Sequence, residues 1–273
     1  MSADDGNTGT ARASRNGGRD AHPGPEDPGK PDSPVQLTKP SWKYIARKTV
    51  REFSDDKHLI FATRNGTVKK TVLSEYGNVR TNGIRAINIE QGDELIDVQV
   101  CDANSDIVLA TRGGMSIRFH HSDVREMGRA TTGVKGVELD DGDNVIGMVV
   151  VRRDCTMLVV SEKGYGKRSE LSEYRVQKRG GRGIITLKVT EKTGSIVALK
   201  EVIPEDELMM ITRQGVIIRV PVDGIRVIGR NTQGVRVMNL DGGDAVVGVA
   251  RVVKEEGTAE DASEAVVPAD GDA

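Results

Sequence analysis

Short apolar runs recur at a nearly constant interval between His58 and Val253, and each run ends at a glycine turn. The turn glycines, spaced 48, 50 and 51 residues apart, are Gly66, Gly114, Gly164 and Gly215. A segment such as LIFAT-RNG-TVKKT predicts a β-hairpin, because Asn-Gly readily adopts the positive φ that a tight turn needs. A repeat of this length, built from β-branched runs and turns, is typical of four-stranded propeller blades.

A second set of glycines strengthens the repeat. They lie 17 or 19 residues beyond the first set and are Gly83, Gly133, Gly183 and Gly234. A generic β-sandwich does not require equal spacing, and the only tryptophan, Trp42, lies outside the repeats, which argues against WD40 and kelch repeats. We therefore predict an all-β, β-propeller-like array of about four four-stranded blades over residues 58–253. The predicted blades are at about 58–100, 101–150, 151–200 and 201–253, and an open array should leave strand edges exposed.

The flanking segments differ in composition. Residues 1–49 form an unassigned arm, most of which is rich in Gly, Pro, Ser and Asp. Such a segment cannot bury enough apolar surface to offset its chain entropy, so we predict disorder. Residues 254–273 carry one basic residue against seven acidic ones and are predicted to be an acidic disordered tail. The net charge of -2 hides a mildly basic repeat region, with 28 Lys/Arg against 25 Asp/Glu over 58–253, which is compatible with a nucleic-acid partner.

The sequence argues against several classes of function. No run approaches the roughly 20 apolar residues of a membrane-spanning helix, and the N-terminal arm lacks a signal-peptide core. Two cysteines, Cys101 and Cys155, cannot form a disulfide framework, which favours the cytoplasm. Histidines and carboxylates lack metal-ligand spacing, and the turn at Gly164–Lys167 lacks the spacing of a phosphate loop. We therefore expect no catalytic residue, metal, cofactor, membrane contact or small-molecule substrate in this chain.

Basic residues concentrate in the third repeat, where the segment from Lys163 to Lys192 holds nine Lys/Arg against three acids. Its centre is the run Gln177, Lys178, Arg179, Gly180, Gly181, Arg182 and Gly183. Glycines let a backbone approach a polyanion closely, and the flanking cations supply charge for phosphates. A solvated surface loop has the same composition, but the scarcity of aromatic residues disfavours a single-strand binder that stacks bases. We expect the three cationic side chains of this run to be exposed.

The run Q-K-R-G-G-R-G resembles the gyrase A box, Q-[RK]-R-G-G-[KR]-G, of the DNA gyrase A C-terminal domain. Four further stretches are similar to blade sequences of that family: ATRNGTVKKTVLSEY, MGRATTGVKGV, GYGKRSELSEY and IGRNTQGV. The resemblance runs from Val50 to Val253. It implies a six-bladed β-pinwheel whose basic rim wraps duplex DNA, of which the four repeats here resemble the last four blades. The family's principal box lies in the first blade, whereas the run here lies in the third repeat.

The resemblance implies a module that binds and wraps duplex DNA and supports negative supercoiling, without catalysis of its own. ATP, Mg²⁺ and the breakage-reunion chemistry would belong to the implied partners, which are the remaining gyrase A and gyrase B subunits. The location would be cytoplasmic, on the nucleoid. The alternatives are a topoisomerase IV C-terminal domain of the same type and a propeller-like protein-interaction scaffold. Besides the run 177–183, which we name the box, we expect basic residues on an outer rim to contact phosphates: Lys69, Lys70, Arg80, Arg118, Arg129, Lys167, Arg168, Arg219 and Arg230.

Overall fold

The computed structural model describes residues 53–78, 80–81 and 83–252, so the predicted arm and tail lie outside the described residues. Four antiparallel sheets, which we name blades 1 to 4, follow one another along the chain. The regular structure of the described residues is otherwise limited to three 3₁₀ helices of three or four residues. The all-β array of blades predicted from the repeat is confirmed.

The strands of each blade come mainly from one repeat. Blade 1 contains β1 (His58–Thr63), β2 (Thr67–Val72) and β3 (Leu95–Cys101), and blade 2 contains β4 (Asp106–Thr111), β5 (Met115–His120) and β7 (Val145–Val151). Blade 3 contains β8 (Thr156–Ser161), β9 (Tyr165–Glu170) and β11 (Ile196–Val202), and blade 4 contains β12 (Glu207–Thr212), β13 (Ile217–Pro221) and β15 (Val246–Val252). The 3₁₀ helices η1 (Leu73–Tyr76), η2 (His121–Asp123) and η3 (Leu171–Glu173) follow the second strand of blades 1 to 3.

Three blades receive their outer strand from the next repeat. The two-residue strands β6 (Val134–Lys135), β10 (Ile184–Ile185) and β14 (Val235–Arg236) pair antiparallel with β2, β5 and β9 of the preceding blade. Blades 1 to 3 therefore have the four strands that the repeat predicts, and blade 4 has three within the described part of the chain. At the opposite edge, β3, β7, β11 and β15 pack against one another in turn.

The apolar core lies between successive blades. Because side chains alternate along a strand, each first strand sends one set toward the preceding blade and the other toward the following blade. The faces that meet are Ile60 and Ala62 with Ile107 and Leu109, Val108 and Ala110 with Met157 and Val159, and Leu158 and Val160 with Leu208 and Met210. Burial of both faces explains why these strands are almost continuously apolar rather than alternating in polarity.

The second glycine of each repeat is required by the strand exchange. Gly133, Gly183 and Gly234 have φ values of +126°, +78° and +75°, a region that side chains with a Cβ rarely adopt. A Cβ on Gly183 would lie 2.1 Å from the carbonyl oxygen of Ser116 in the preceding blade. This glycine therefore lets the backbone approach the neighbouring sheet closely enough to pair with it.

Candidate nucleic-acid interface

The box connects η3 to β10 and lies against blade 2. Its backbone is fixed there by hydrogen bonds: Gln177 N–H donates to the Arg118 carbonyl at 2.9 Å, and Gly180 N–H donates to the Gly136 carbonyl at 2.7 Å. Gly180 itself has a φ of +82°. The box is therefore an ordered connection between blades rather than a free surface loop.

The three cations of the box do different things. Lys178 and Arg182 are exposed, and Arg182 forms an ion pair with Asp140. Arg179 is half-buried, and its Nε and Nη1 donate to the carbonyls of Asp123 and Lys135 at 2.8 and 2.9 Å. The expectation of an exposed Arg179 is therefore wrong, because its guanidinium joins the box to repeat 2.

Two lysines predicted on the rim are fully buried. Lys69 Nζ donates to the Ala86 carbonyl at 2.6 Å and to the Arg129 carbonyl, and its side chain has no exposed surface. Lys167 Nζ donates to the carbonyl of Gly229 at 2.6 Å and to that of Arg230. Burial is the main cause that lowers the pKa of each lysine to about 8. Both lysines therefore connect the second strand of their blade to the segment of the next repeat that aligns with the box. Their prediction as phosphate contacts is wrong, because their ammonium groups face inward.

The next residue along each second strand forms a similar brace. Lys70 Nζ donates to the His121 carbonyl at 3.3 Å. Arg118 Nη1 donates to the carbonyls of Leu171 and Tyr174 at 2.9 and 3.1 Å, and Arg168 Nε donates to the Ile225 carbonyl at 2.8 Å.

Lys70 and Arg168 are buried, and the Arg118 side chain is 17% exposed and paired with Asp106 at 2.6 Å. These cations therefore donate to carbonyls in turns of the next repeat, of which those of His121 and Leu171 also accept a backbone N–H from within their own turn. The predicted rim role of all three is therefore wrong.

The other predicted rim residues are more accessible. Arg80 is exposed, and the Arg219 side chain is 60% exposed and paired with Glu207 of its own blade. Arg129 and Arg230 are half-buried; Arg129 lies 3.9 Å from Glu75, and Arg230 Nη1 donates to the Ile185 carbonyl at 2.9 Å. Arg80 and Arg219 thus keep an accessible charge, whereas Arg230 is partly committed to the strand exchange.

A set of exposed arginines was missed by the sequence analysis. Arg125, Arg175 and Arg226 each lie eight residues before the second glycine of their repeat, and all three are exposed. None of them forms an ion pair or a side-chain hydrogen bond with another described residue. The residue that follows each arginine forms an isolated β-bridge with Lys70, Arg118 or Arg168 of the preceding blade. The three arginines therefore occupy equivalent positions on the outside of the array. We name them the arginine track; their common distance from the glycine is the signal that could have found them.

The described residues also bear on metal binding, thiol chemistry and membrane spans. No group of three His, Cys, Asp or Glu side chains there could hold a metal ion. Burial raises the pKa of the Cys101 and Cys155 thiols to about 11, which opposes the thiolate form that nucleophilic chemistry needs. Within the same residues, no helix is long and apolar enough to span a bilayer.

Packed blades joined by exchanged strands define a β-propeller-type repeat protein. A family model described as the DNA gyrase C-terminal domain, beta-propeller, matches residues 57–102, 105–152, 156–202 and 206–252, one segment for each repeat. The chain therefore belongs to the DNA gyrase C-terminal domain family.

Similar proteins include the gyrase A proteins of several organisms. That of Halalkalibacterium halodurans is 51% identical over 207 residues, covering 76% of this chain and 25% of the relative. That of Deinococcus deserti is 45% identical over 213 residues, covering 76% of this chain and 26% of the relative. The chain thus spans about a quarter of the length of these relatives.

Two solved structures share the fold. A DNA gyrase A C-terminal domain matches with a TM-score of 0.68 and 26% identity, over 76% of this chain and 69% of that one. The C-terminal domain of DNA topoisomerase IV matches with a TM-score of 0.70 and 27% identity, over 74% of this chain and 64% of that one. The resemblance to the gyrase A C-terminal domain is therefore confirmed at the level of sequence and of fold.

Proposed function

We propose that this chain binds duplex DNA along the outer edges of blades 1 to 3, where repeats 2 to 4 lie against the preceding blade, and bends it, as the DNA-wrapping module of a gyrase A protein. The single observation that carries the proposal is the arginine track, which offers an unpaired guanidinium at the same position of three successive repeats. Lys178 and Arg182 of the box add two exposed charges on blade 2. Membership of the gyrase C-terminal family supports the choice of DNA as the polyanion.

The mechanism is electrostatic. Guanidinium groups on successive blades contact phosphates, and each phosphate neutralised releases counterions, which contributes about 0.9 to the slope of log K against log salt. Smooth bending of 20–30 base pairs costs on the order of 1–6 kcal/mol, which several phosphate contacts on a curved surface can offset. Because phosphates carry no base identity, binding should be nearly independent of sequence.

The role in a larger enzyme rests on family membership. Wrapping would present a DNA segment to the cleavage machinery and so support negative supercoiling, with ATP and Mg²⁺ used by other parts of gyrase. The partners would be the remaining gyrase A and gyrase B subunits, in the cytoplasm and on the nucleoid. The repeat region 50–253 would act as the DNA-binding unit, and the chain alone would have no catalytic activity.

A second candidate is the corresponding domain of topoisomerase IV, which the similarity of fold also favours.

The wrapping proposal can be tested on plasmid DNA. The full chain is incubated with relaxed circular plasmid and a nicking-closing topoisomerase, and the linking number is measured after the proteins are removed. We expect the linking-number distribution to shift as the concentration of the chain increases. Wrapping imposes writhe on the bound DNA, and the topoisomerase relaxes only the rest of the plasmid, so the change remains after the proteins are removed. Binding without a shift would contradict wrapping, and no binding at about 50 mM salt would favour a protein-interaction scaffold, since electrostatic DNA binding is strong there.

A further inference from the structure

Within the described residues, the outer edge of blade 4 lacks the exchanged strand that completes blades 1 to 3. In those blades, the second strand pairs with a segment from the next repeat in one register: Thr67↔Lys135, Met115↔Ile185 and Tyr165↔Arg236. Strand β13 occupies the equivalent position in blade 4 and pairs only with β12 within the described residues. Its outer backbone groups thus form an open edge, to which another strand can add.

The side chains around this edge repeat the internal interface but are uncovered. Met209 and Ile211 are 41% and 39% exposed, whereas their equivalents Val108 and Ala110 in blade 2 are fully buried against the next blade. Val216 and Ile217 beside the edge are 47% and 55% exposed. Blade 4 therefore presents the apolar face that every earlier blade covers with its successor.

Repeat 1 carries the complementary half of this interface. Its segment Gly83–Ile87 corresponds to the exchanged strands, yet it belongs to no strand. A Cβ on Gly83 would meet no atom within 4 Å, although Gly83 has a φ of +76°, whereas the equivalent position Gly183 is pressed against the preceding blade. Gly83 and Arg85 are exposed, so this segment is available to a sheet edge.

We propose that two copies of this chain associate head to tail, with the Gly83–Ile87 segment of one copy adding to β13 of the other. The register of the three internal pairs places Val216 opposite Arg85 and Ile217 opposite Ile84. A second copy is the occupant because the new contact continues an interface that the chain already makes three times within itself. Such a heterologous contact uses two different surfaces and leaves one of each free at the ends, so longer assemblies form at high concentration.

The register gives a direct test by disulfide cross-linking. The internal counterparts of the Val216–Arg85 pair alternate with hydrogen-bonded positions, since Thr186 N–H donates to the Gly114 carbonyl and Val237 N–H to that of Gly164. The pair is therefore of the non-hydrogen-bonded type, whose side chains approach most closely and suit a disulfide. Both residues are exposed, so neither substitution disturbs the core.

Full-length chains with Val216→Cys or with Arg85→Cys, each also carrying Cys155→Ser, are mixed, oxidised and run on a non-reducing gel. We expect more disulfide-linked dimer in the mixture than in either variant oxidised alone. The matched control pairs Arg85→Cys with Arg112→Cys, which is exposed on the hairpin turn of blade 2. Cross-linking equal to that of the control would overturn the proposal.

Light scattering provides a second readout, which does not depend on DNA. The mass of the wild-type chain should rise with concentration, and Ile217→Lys should hold the chain as a monomer, because a charge on an edge strand opposes strand addition. Ile217 is exposed, so the variant should keep the thermal unfolding of the wild type. A wild-type chain that stays monomeric at the highest attainable concentration, or an Ile217→Lys chain that assembles equally well, would overturn the proposal.

Discussion

Replacement of Lys167 by methionine separates a structural brace from a DNA contact. Methionine keeps the unbranched apolar part of the side chain and removes the ammonium group, which donates to the Gly229 and Arg230 carbonyls and, at 3.2 Å, to the Thr232 hydroxyl. The Gly229 carbonyl keeps the Thr232 hydroxyl as a donor at 2.9 Å, so the Arg230 carbonyl loses most. A buried polar group left unsatisfied costs about 1–3 kcal/mol. The variant no longer pays the cost of desolvating a buried ammonium group, which offsets part of this loss. We therefore expect the free energy of unfolding to fall by about 2 kcal/mol.

Thermal unfolding followed by circular dichroism measures this loss. For a domain of about 200 residues, 2 kcal/mol corresponds to a fall in Tm of about 4–8 °C. The affinity of the folded variant for duplex DNA should not change. The control is Lys178→Met, which removes the same group from an exposed position; its unfolding free energy should change by about 0.5 kcal/mol or less, while DNA binding weakens. An unchanged Tm with a reduced salt slope for Lys167→Met would refute the brace and restore Lys167 as a phosphate contact.

The pH dependence of stability provides an independent check on the same lysine. Its pKa is lowered to about 8 in the folded chain, whereas the unfolded chain keeps the ordinary value near 10.5. Between these values the unfolded state holds more protons, so the free energy of unfolding should rise with pH over this window. Lys69 contributes in the same way. Urea unfolding at pH 8 and pH 10 should therefore show a smaller rise for Lys167→Met than for the wild type, and an equal rise would contradict burial of the amine.

Three further outcomes are expected. In urea unfolding, Gly183→Ala should lower the free energy of unfolding by more than the matched Gly180→Ala. Both glycines have positive φ, but the new Cβ would lie 2.1 Å from a backbone oxygen at position 183 and 3.5 Å from one at position 180. Equal losses would contradict the strand-exchange role. Arg179→Ala should lower the unfolding free energy by about 1–2 kcal/mol, since two carbonyls lose a charged donor, and an unchanged value would return Arg179 to the DNA-contacting set. Deletion of residues 254–273, which carry a net charge of -6, should tighten DNA binding at low salt; unchanged affinity would make the tail a bystander.

The repeat made the fold predictable from the sequence, but it did not predict the exchange of strands between blades. Long apolar runs around Gly66 and its equivalents specify hairpins, and burial of both faces follows from their continuous apolar character. The exchanged strands are only two residues long, as at Val134–Lys135, which is too short to carry a periodic signal. Whether such a segment pairs within its own repeat or with the preceding one depends on tertiary contacts between blades.

The candidate site was predictable in composition but not in orientation. Lys69 and Arg168 have the residue types of a DNA-binding rim, and the carbonyls that bind them come from segments 17 to 60 residues away. Local sequence therefore does not reveal that these charges face inward. Arg125 and its equivalents, by contrast, could have been found by alignment on the second glycine, because equal register on an array implies an equal position on each blade.

The salt dependence of DNA binding by an arginine-track variant tests the central claim most directly. The variant carries Arg125→Ala, Arg175→Ala and Arg226→Ala; the matched control removes three exposed arginines from the hairpin turns, at positions 64, 112 and 213. Affinity for a duplex of fixed length is measured across a salt series, after both variants have been shown to unfold as the wild type does. If the track contacts three phosphates, the slope of log K against log salt should fall in magnitude by about 2.7 for the variant and stay near the wild-type value for the control. An unchanged slope for the track variant, or an equal fall for both, would contradict the proposed DNA path.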